Sequence, residues 1–432
     1  MPGRYDVDAQ VQGLIEYVDA SPTPFHAVAQ AAGRLDEAGF TVIDEGEPFP
    51  TEPGGYLLVR GGSLVAGYCP PDLAPSAPYR ILTAHTDSPN LRIKPNPDHV
   101  KAAWQMLGVE PYGGLLANSW LDRDLGLAGR VVVRTASGPQ PRLFHDSRPL
   151  LRVAQLAVHL DRGVNERGLV LDRQQHLVPL WGLADAGVSF PAYLAEQVGA
   201  DRSDILAWDA MAHDTQPAQR IGRHGELVAA PRLDNLATAY AGVQALVAAA
   251  GQASAHRLVL ALFDHEEVGS ESERGARSTL LGAVLERIVL GAGGGREDMW
   301  RALAASLVAS GDMAHATHPN YAERHEPQHQ VAINAGPVLK VHSELRYATD
   351  AVGAAHFRLA CEQAGVPMQT FVVRSDLPCG STVGPMTAAG LGVATVDVGA
   401  PLLSMHSIRE LGGAQDVPWY AAALAAFLAP QR

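Results

Sequence analysis

The chain has 432 residues, 47% hydrophobic and 18% charged, which is enough apolar material for a large core spread over two or three domains. Its formal net charge is -13 and no stretch is rich in Lys and Arg, which argues against nucleic acid or an anionic membrane as partner. Three scattered cysteines, Cys69, Cys361 and Cys379, exclude a disulfide framework and a thiolate metal site. The opening MPGRYDVDAQ carries no apolar signal core and no apolar run reaches membrane-spanning length, so the reading is a soluble, cytoplasmic protein.

In chain order, residues 7 to 39 predict two helices, the second capped by Thr23 with Pro24 in its first turn. TVIDEG, GGYLLVRGG and SLVAGYCP read as short strands joined by Gly and Pro turns, and RILTAHTD as a strand running into His-x-Asp. From about residue 96 to 229 the character changes: GRVVVRT, PRLFHDS, LLRVAQLAVHL and HLVPLWG are β-type runs, and SFPAYLAEQVG is a helix capped by Ser189. These residues are expected to form an inserted β-rich domain, with 1–95 and 230–432 making the catalytic domain around it.

After the insertion, PRLDNLATAYAGVQALVAAAG leads into an apolar helix ending at Gly251, followed by the buried strand LVLALF. A helix near TLLGAVLERIVL, strand SLVASGD, GPVLKVH, helix AVGAAHFRLACEQAG and strands MQTFVV and GVATVDVG complete the pattern. Strands alternating with helices predict an α/β fold with a mostly parallel central sheet flanked by helices. The run GAGGG follows a helix and lacks the Lys-Ser/Thr of a phosphate loop, so it is rejected as one.

Five places share one feature, a His or acid just beyond a buried strand or at the mouth of a helix: His85, Asp234, Glu267, Asp312 and His406. In an open α/β sheet the carboxyl ends of the strands face one crevice, so these distant residues can converge there. Each alone reads more readily as a turn or surface residue; the joint order is what carries the argument. Two adjacent acids, Glu266 and Glu267, at the end of a buried strand repel each other unless something positive sits beside them. Three carboxylates against two divalent cations leave room for one hydroxide, and imidazole with carboxylate suits zinc, with manganese or cobalt as alternatives. Paired metals polarise a carbonyl and acidify a water. Glu266, next to a ligand and itself free to move a proton, is then the general base, and Asp87 is placed to hold the second N–H of His85.

TAHTDSPNLRIKP, SWLDRDLGLAGRV, PRLDNLATAYAG, FDHEEVGS, SGDMAHATHPNYAERHE, LRYAT, PCGSTVGP and MHSIRE together resemble the aspartyl aminopeptidase family of di-zinc metallopeptidases, from about residue 10 to the end. The resemblance implies that Asp234 bridges two zinc ions per subunit, with His85 and Asp312 on one and Glu267 and His406 on the other. It implies that Lys340 faces the acidic side chain of the substrate and that His318, with His315 a weaker candidate, belongs to the substrate pocket. It implies a zinc-peptidase-like catalytic domain with an inserted dimerisation domain, and His159 of that insertion acting in the neighbouring subunit's active site. Family members form dimer-based dodecamers with an internal chamber, which restricts substrates to short peptides. One departure stands out: the family's paired histidines in the insertion are Gln155 and His159 here. The 149-residue interval from His85 to Asp234, against 94 from Asp312 to His406, favours this family over related deacylases and carboxypeptidases that insert after the fourth ligand.

The expected function is removal of an N-terminal Asp or Glu from short peptides. Alternatives are the same metal site with neutral or basic aminopeptidase or N-acyl deacylase specificity, and, in another class, a non-catalytic scaffold.

Overall fold

The computed structural model describes residues 6–184 and 187–431. The chain forms two compact units: the first comprises residues up to Asp87, Ala218–Met405 and the chain from Glu410 onward, and the second comprises Ser88–Pro217 with His406–Arg409.

The first unit is built on a nine-stranded sheet, in spatial order 41–42, 54–60, 63–69, 257–263, 79–85, 307–311, 394–399, 338–341 and 369–372. Its four central strands, from 257–263 to 394–399, are mutually parallel, and antiparallel pairs flank them on both sides. The sheet is therefore mixed with a parallel centre. Arg257–Phe263 shows why: every residue of the strand is buried, with Leu258, Leu260 and Leu262 in one apolar cluster and Val259, Ala261 and Phe263 in another. Alternation of side chains along a strand demands two covered faces when all of them are apolar. Helices Val7–Asp19, Pro24–Glu37, Leu233–Ala249, Ala351–Ala364 and Asp416–Leu428 contribute to the first cluster, and Leu280–Gly291, Arg296–Ala304 and Val383–Leu391 to the second. A separate five-stranded sheet orders strands 219–221, 227–230, 410–413, 401–403 and 314–315.

The second unit is a closed barrel of strands 205–214, 90–101, 104–112, 180–183, 138–152 and 124–135, filled by Leu91, Leu107, Leu127, Val131, Phe144 and their neighbours. Helix Phe190–Val198 packs on it through Phe190 and Leu194.

The expected helices at 7–39 form, and Thr23 caps the second by accepting from the His26 amide. Ser189 makes no side-chain cap; the Asp98 carboxylate takes the Phe190 N–H instead. The second unit begins at Ser88 rather than 96, because the strand from Asn90 already belongs to the barrel, and stops at Pro217 because strands 219–221 and 227–230 pair in the five-stranded sheet. LLRVAQLAVHL is not strand throughout: the ladder ends at Arg152, and residues after Val153 form turns. Helices Arg296–Ala304, Val383–Leu391 and Asp416–Leu428 are additional to the expected elements.

Leu260→Ala in the doubly covered strand is expected to cost about 2–5 kcal/mol, read as a lower denaturation midpoint. Leu290→Ala, on an exposed helix face, is expected to change stability by less than about 0.5 kcal/mol.

Candidate metal centre and active site

Parallel register decides which side chains meet. Phe263 lies level with His85, and Ser310 with Thr83, so His85 and the residues following Phe263 and Gly311 emerge on one edge of the sheet. Asp234 arrives from the start of helix Leu233–Ala249, whose first turn leaves helical geometry at Asp234 and Asn235. Two buried bonds hold that turn: the Asp234 amide donates to Glu410 Oε2 at 2.9 Å, and Asn235 Nδ2 donates to the Gly311 carbonyl at 2.9 Å.

Donor atoms of His85, Asp234 and Asp312 lie within 4.8 Å of one another, and so do those of His85, Glu266 and Glu267. His85 Nε2 is 3.3 Å from Asp234 Oδ1 and 4.0 Å from both Glu266 Oε2 and Asp312 Oδ1. His85, Asp234 and Asp312 are buried. Burial raises the Glu266 carboxyl well above the usual carboxylate range, His85 opposing the rise and Asp312 and Glu267 adding to it. Burial likewise pushes Asp312 up to about 7, against the pull of Lys340. Burial disfavours a charge on His85, yet Asp234, Asp87 and Glu266 together hold its pKa well above the ordinary value. The cluster is short of positive charge, which a divalent cation held by these groups would supply. Imidazole and carboxylate donors with no cysteine fit zinc.

Asp87 does more than the sequence suggested. His85 Nδ1 faces the Asp87 main-chain carbonyl at 2.9 Å, with the carboxylate farther away at 3.4 Å. The carboxylate instead accepts the main-chain N–H of Glu266 at 3.0 Å and of Glu267 at 3.1 Å. One buried residue thus sets the tautomer of His85, with Nε2 toward the cluster, and also holds the backbone that carries both glutamates.

Lys340 is buried at 3% exposure. Its Nζ donates to the Met313 carbonyl at 3.1 Å, lies 4.0 Å from Asp312 Oδ1 and sits 5.0 Å from the centre of the Tyr347 ring. The half-buried His318 is outside the donor cluster; its Nδ1 accepts from the Asn320 amide at 3.2 Å and its ring lies 4.9 Å from that of Tyr321. The exposed His315 packs its ring against Phe371. His406 and His159 belong to the second unit. His406 has a left-handed backbone (φ 67) and its Nδ1 faces the Gly114 carbonyl at 3.1 Å, which puts the proton on Nδ1 and the lone pair on Nε2. His159 is exposed among turns with Leu156, Val158 and Leu160. Glu410 and Tyr347 were missed in the sequence. Both stand inside recognised stretches, MHSIRE and LRYAT, but only the fold brings them to Asp234 and Lys340.

The aminopeptidase I zinc metalloprotease (M18) family profile matches residues 17–428. The chain belongs to the M18 family of zinc aminopeptidases. It is 52% identical over 429 residues to the probable M18 family aminopeptidase 2 of Mycobacterium tuberculosis H37Rv, covering 98% of this chain and 99% of the relative. The Streptomyces coelicolor counterpart is 51% identical over 433 residues, with 99% of each chain covered. Among solved structures, a chain in the cryo-EM structure of the Ape4 and Nbr1 complex superposes with a TM-score of 0.94 at 36% identity, covering 98% of this chain and 86% of that one. The S. cerevisiae mApe1 dodecamer gives 0.85 at 26% identity, with 97% of each chain covered.

In this M18 aminopeptidase, Asp87→Asn keeps one acceptor oxygen but turns an NH2 toward a main-chain N–H. The expected result is a loss of about 10–100-fold in zinc affinity or kcat, read by competition titration against a chromophoric chelator and by steady-state rates. Removal of zinc by a strong chelator is expected to abolish peptide hydrolysis, and added zinc to restore it.

Proposed function

We propose that this M18 aminopeptidase removes an N-terminal Asp or Glu from short peptides, using two zinc ions and Glu266 as general base. The observation that carries the reading is the buried cluster of His85, Asp234, Asp312, Glu266 and Glu267, with the Lys340 ammonium beside it. His85, Asp234, Glu267, Asp312 and His406 would hold the zinc, Asp234 being shared between two sets of ligands; the metal would supply Lewis acidity toward the scissile carbonyl and a lowered pKa for the attacking water. Glu266 takes the proton of that water and returns it to the departing amine. Its main-chain N–H is held by Asp87, so the carboxylate is aimed before substrate arrives. Lys340 gives the acidic side chain of the substrate a desolvated charge partner, backed by the Tyr347 ring. His318 and, less directly, His315 line the approach to it.

The second unit is proposed as the dimerisation domain. Leu156, Val158, Leu160 and Val170 are exposed in its turn region, with Val170 at 84%, and an apolar run of this kind needs a covering surface. A second copy of the chain supplies it, bringing His159 to the neighbouring active site to stabilise the developing oxyanion. Likeness to the S. cerevisiae mApe1 dodecamer supports a dimer-based dodecamer here, with a chamber that admits short peptides.

Glu266→Gln is expected to keep bound zinc and lose at least about 10²-fold in kcat; full activity in a zinc-loaded variant would sink the mechanism. On a panel of aminoacyl and N-acylated substrates, wild type is expected to prefer Asp and Glu and to require a free amine, and Lys340→Ala to lose that preference. Activity only on neutral or basic residues, or on N-acylated substrates, would support the other amide specificities. Mixing dissociated His159→Ala and Glu266→Gln subunits is expected to restore partial activity, since an intact Glu266 then meets an intact His159 across the interface. No restoration in a reassembled oligomer would place His159 outside the catalytic group.

A further inference from the structure

The turn that carries Glu266 and Glu267 is closed by its own backbone bonds, Ser270 N–H to the His265 carbonyl at 2.7 Å and Gly269 N–H to the Glu266 carbonyl at 3.0 Å, and is gripped by side chains as well. His265 and Ser270 both have left-handed backbones (φ 67 and 61), a conformation disfavoured for residues that carry a side chain. Asp87 grips the middle of the turn. Its beginning is gripped by Arg274, ten residues along the chain. Arg274 Nε donates to Asp264 Oδ2 at 2.8 Å, where Asp264 is fully buried and the Arg274 side chain is 12% exposed. The second Asp264 oxygen accepts the His265 amide at 2.9 Å. Arg274 Nη2 reaches His265 Nε2 at 3.3 Å, and His265 Nδ1 pairs with Ser272 Oγ at 2.8 Å, so both ring nitrogens are engaged.

The surroundings are shaped to receive this pair. The hairpin turn Gly61–Gly62 lies under it: a Cβ on Gly62 would fall 2.4 Å from Asp264 Oδ2, and one on Gly61 3.0 Å from Arg274 Cδ. Ser63 Oγ accepts the Asp264 amide at 2.8 Å and donates to the Arg274 carbonyl at 2.7 Å, tying both ends of the loop to one strand. A buried carboxylate is stable only with its partner charge in place, so the pair locks rather than decorates the loop.

We propose that Arg274, acting through Asp264 and His265, is a positioning residue that sets the turn from which Glu266 and Glu267 project. It touches neither substrate nor metal. A lysine cannot reproduce its role, because a point charge does not span the Asp264 carboxylate and the His265 ring as the planar guanidinium does. The inference rests on Glu266 being the base, so Glu266→Gln is run beside it.

The test compares wild type with Arg274→Lys, Arg274→Ala and Ser272→Ala at saturating zinc. Arg274→Lys and Arg274→Ala are expected to lose about 10–100-fold in kcat with KM within about twofold, and to bind zinc about 10-fold more weakly by chelator competition. Millimolar guanidinium is expected to restore part of the Arg274→Ala rate. Ser272→Ala, which removes the His265 Nδ1 contact and the bond from the Gly275 amide but leaves the Arg274–Asp264 pair, is expected to lose a few-fold in kcat and keeps the proposal testable if both Arg274 variants fail to fold. Wild-type kcat and zinc affinity in a folded Arg274→Lys, or in Ser272→Ala when the others do not fold, would overturn it. If Glu266→Gln is inactive while Arg274→Lys is unimpaired, only this inference falls; if Glu266→Gln is active, the assignment of the base falls first.

Discussion

The constraint on which the site depends is electrostatic. Asp234, Asp312, Glu266 and Glu267 are gathered with His85 within a few ångströms at the dry edge of a sheet, where water cannot screen their repulsion. Raised pKa values at Glu266 and Asp312 and at His85 express one deficit of positive charge. A bound zinc ion would meet that deficit, and the same cation would be the Lewis acid that an aminopeptidase requires.

The backbone makes the crowding tolerable. Four parallel strands put their carboxyl ends on one edge, and each acid that emerges there is fixed by a bond to its main chain rather than left to side-chain packing. Glu410 holds the Asp234 amide, and Asp87 holds the amides of Glu266 and Glu267. Asp264 holds His265 and is itself held by Arg274. Directional donors of this kind keep ligand geometry while leaving the reacting carboxylate oxygens to face the cluster.

The second unit shows a different division of labour. Its barrel core is closed and apolar, so it is stable without borrowing from the turns that follow Val153. Those turns expose Leu156, Val158 and Leu160 around His159, which is the surface proposed above for a second copy of the chain.

Much of this was legible in the sequence because motifs at strand ends are local. Val259 to Phe263 announces a strand covered on both faces without reference to the rest of the chain, whereas the acids that follow it point to a site only when taken with His85, Asp234, Asp312 and His406. LLRVAQLAVHL misled for the same reason, since a run of branched residues reads as strand whether it pairs or lies exposed on turns awaiting a partner. The helices Arg296–Ala304, Val383–Leu391 and Asp416–Leu428 were missed, and so was the start of the second unit at Ser88, since the strand from Asn90 already pairs in the barrel. The sequence by itself determined the family, the zinc chemistry and the set of residues able to bind metal, because these follow from side-chain type and order. Only the tertiary structure decided that Asp87 serves two glutamate amides as well as His85, that Lys340 is buried against Asp312, and that Arg274 locks the Glu266 turn. Those are contacts between residues as many as 180 positions apart, and strand register, not local pattern, brings them together.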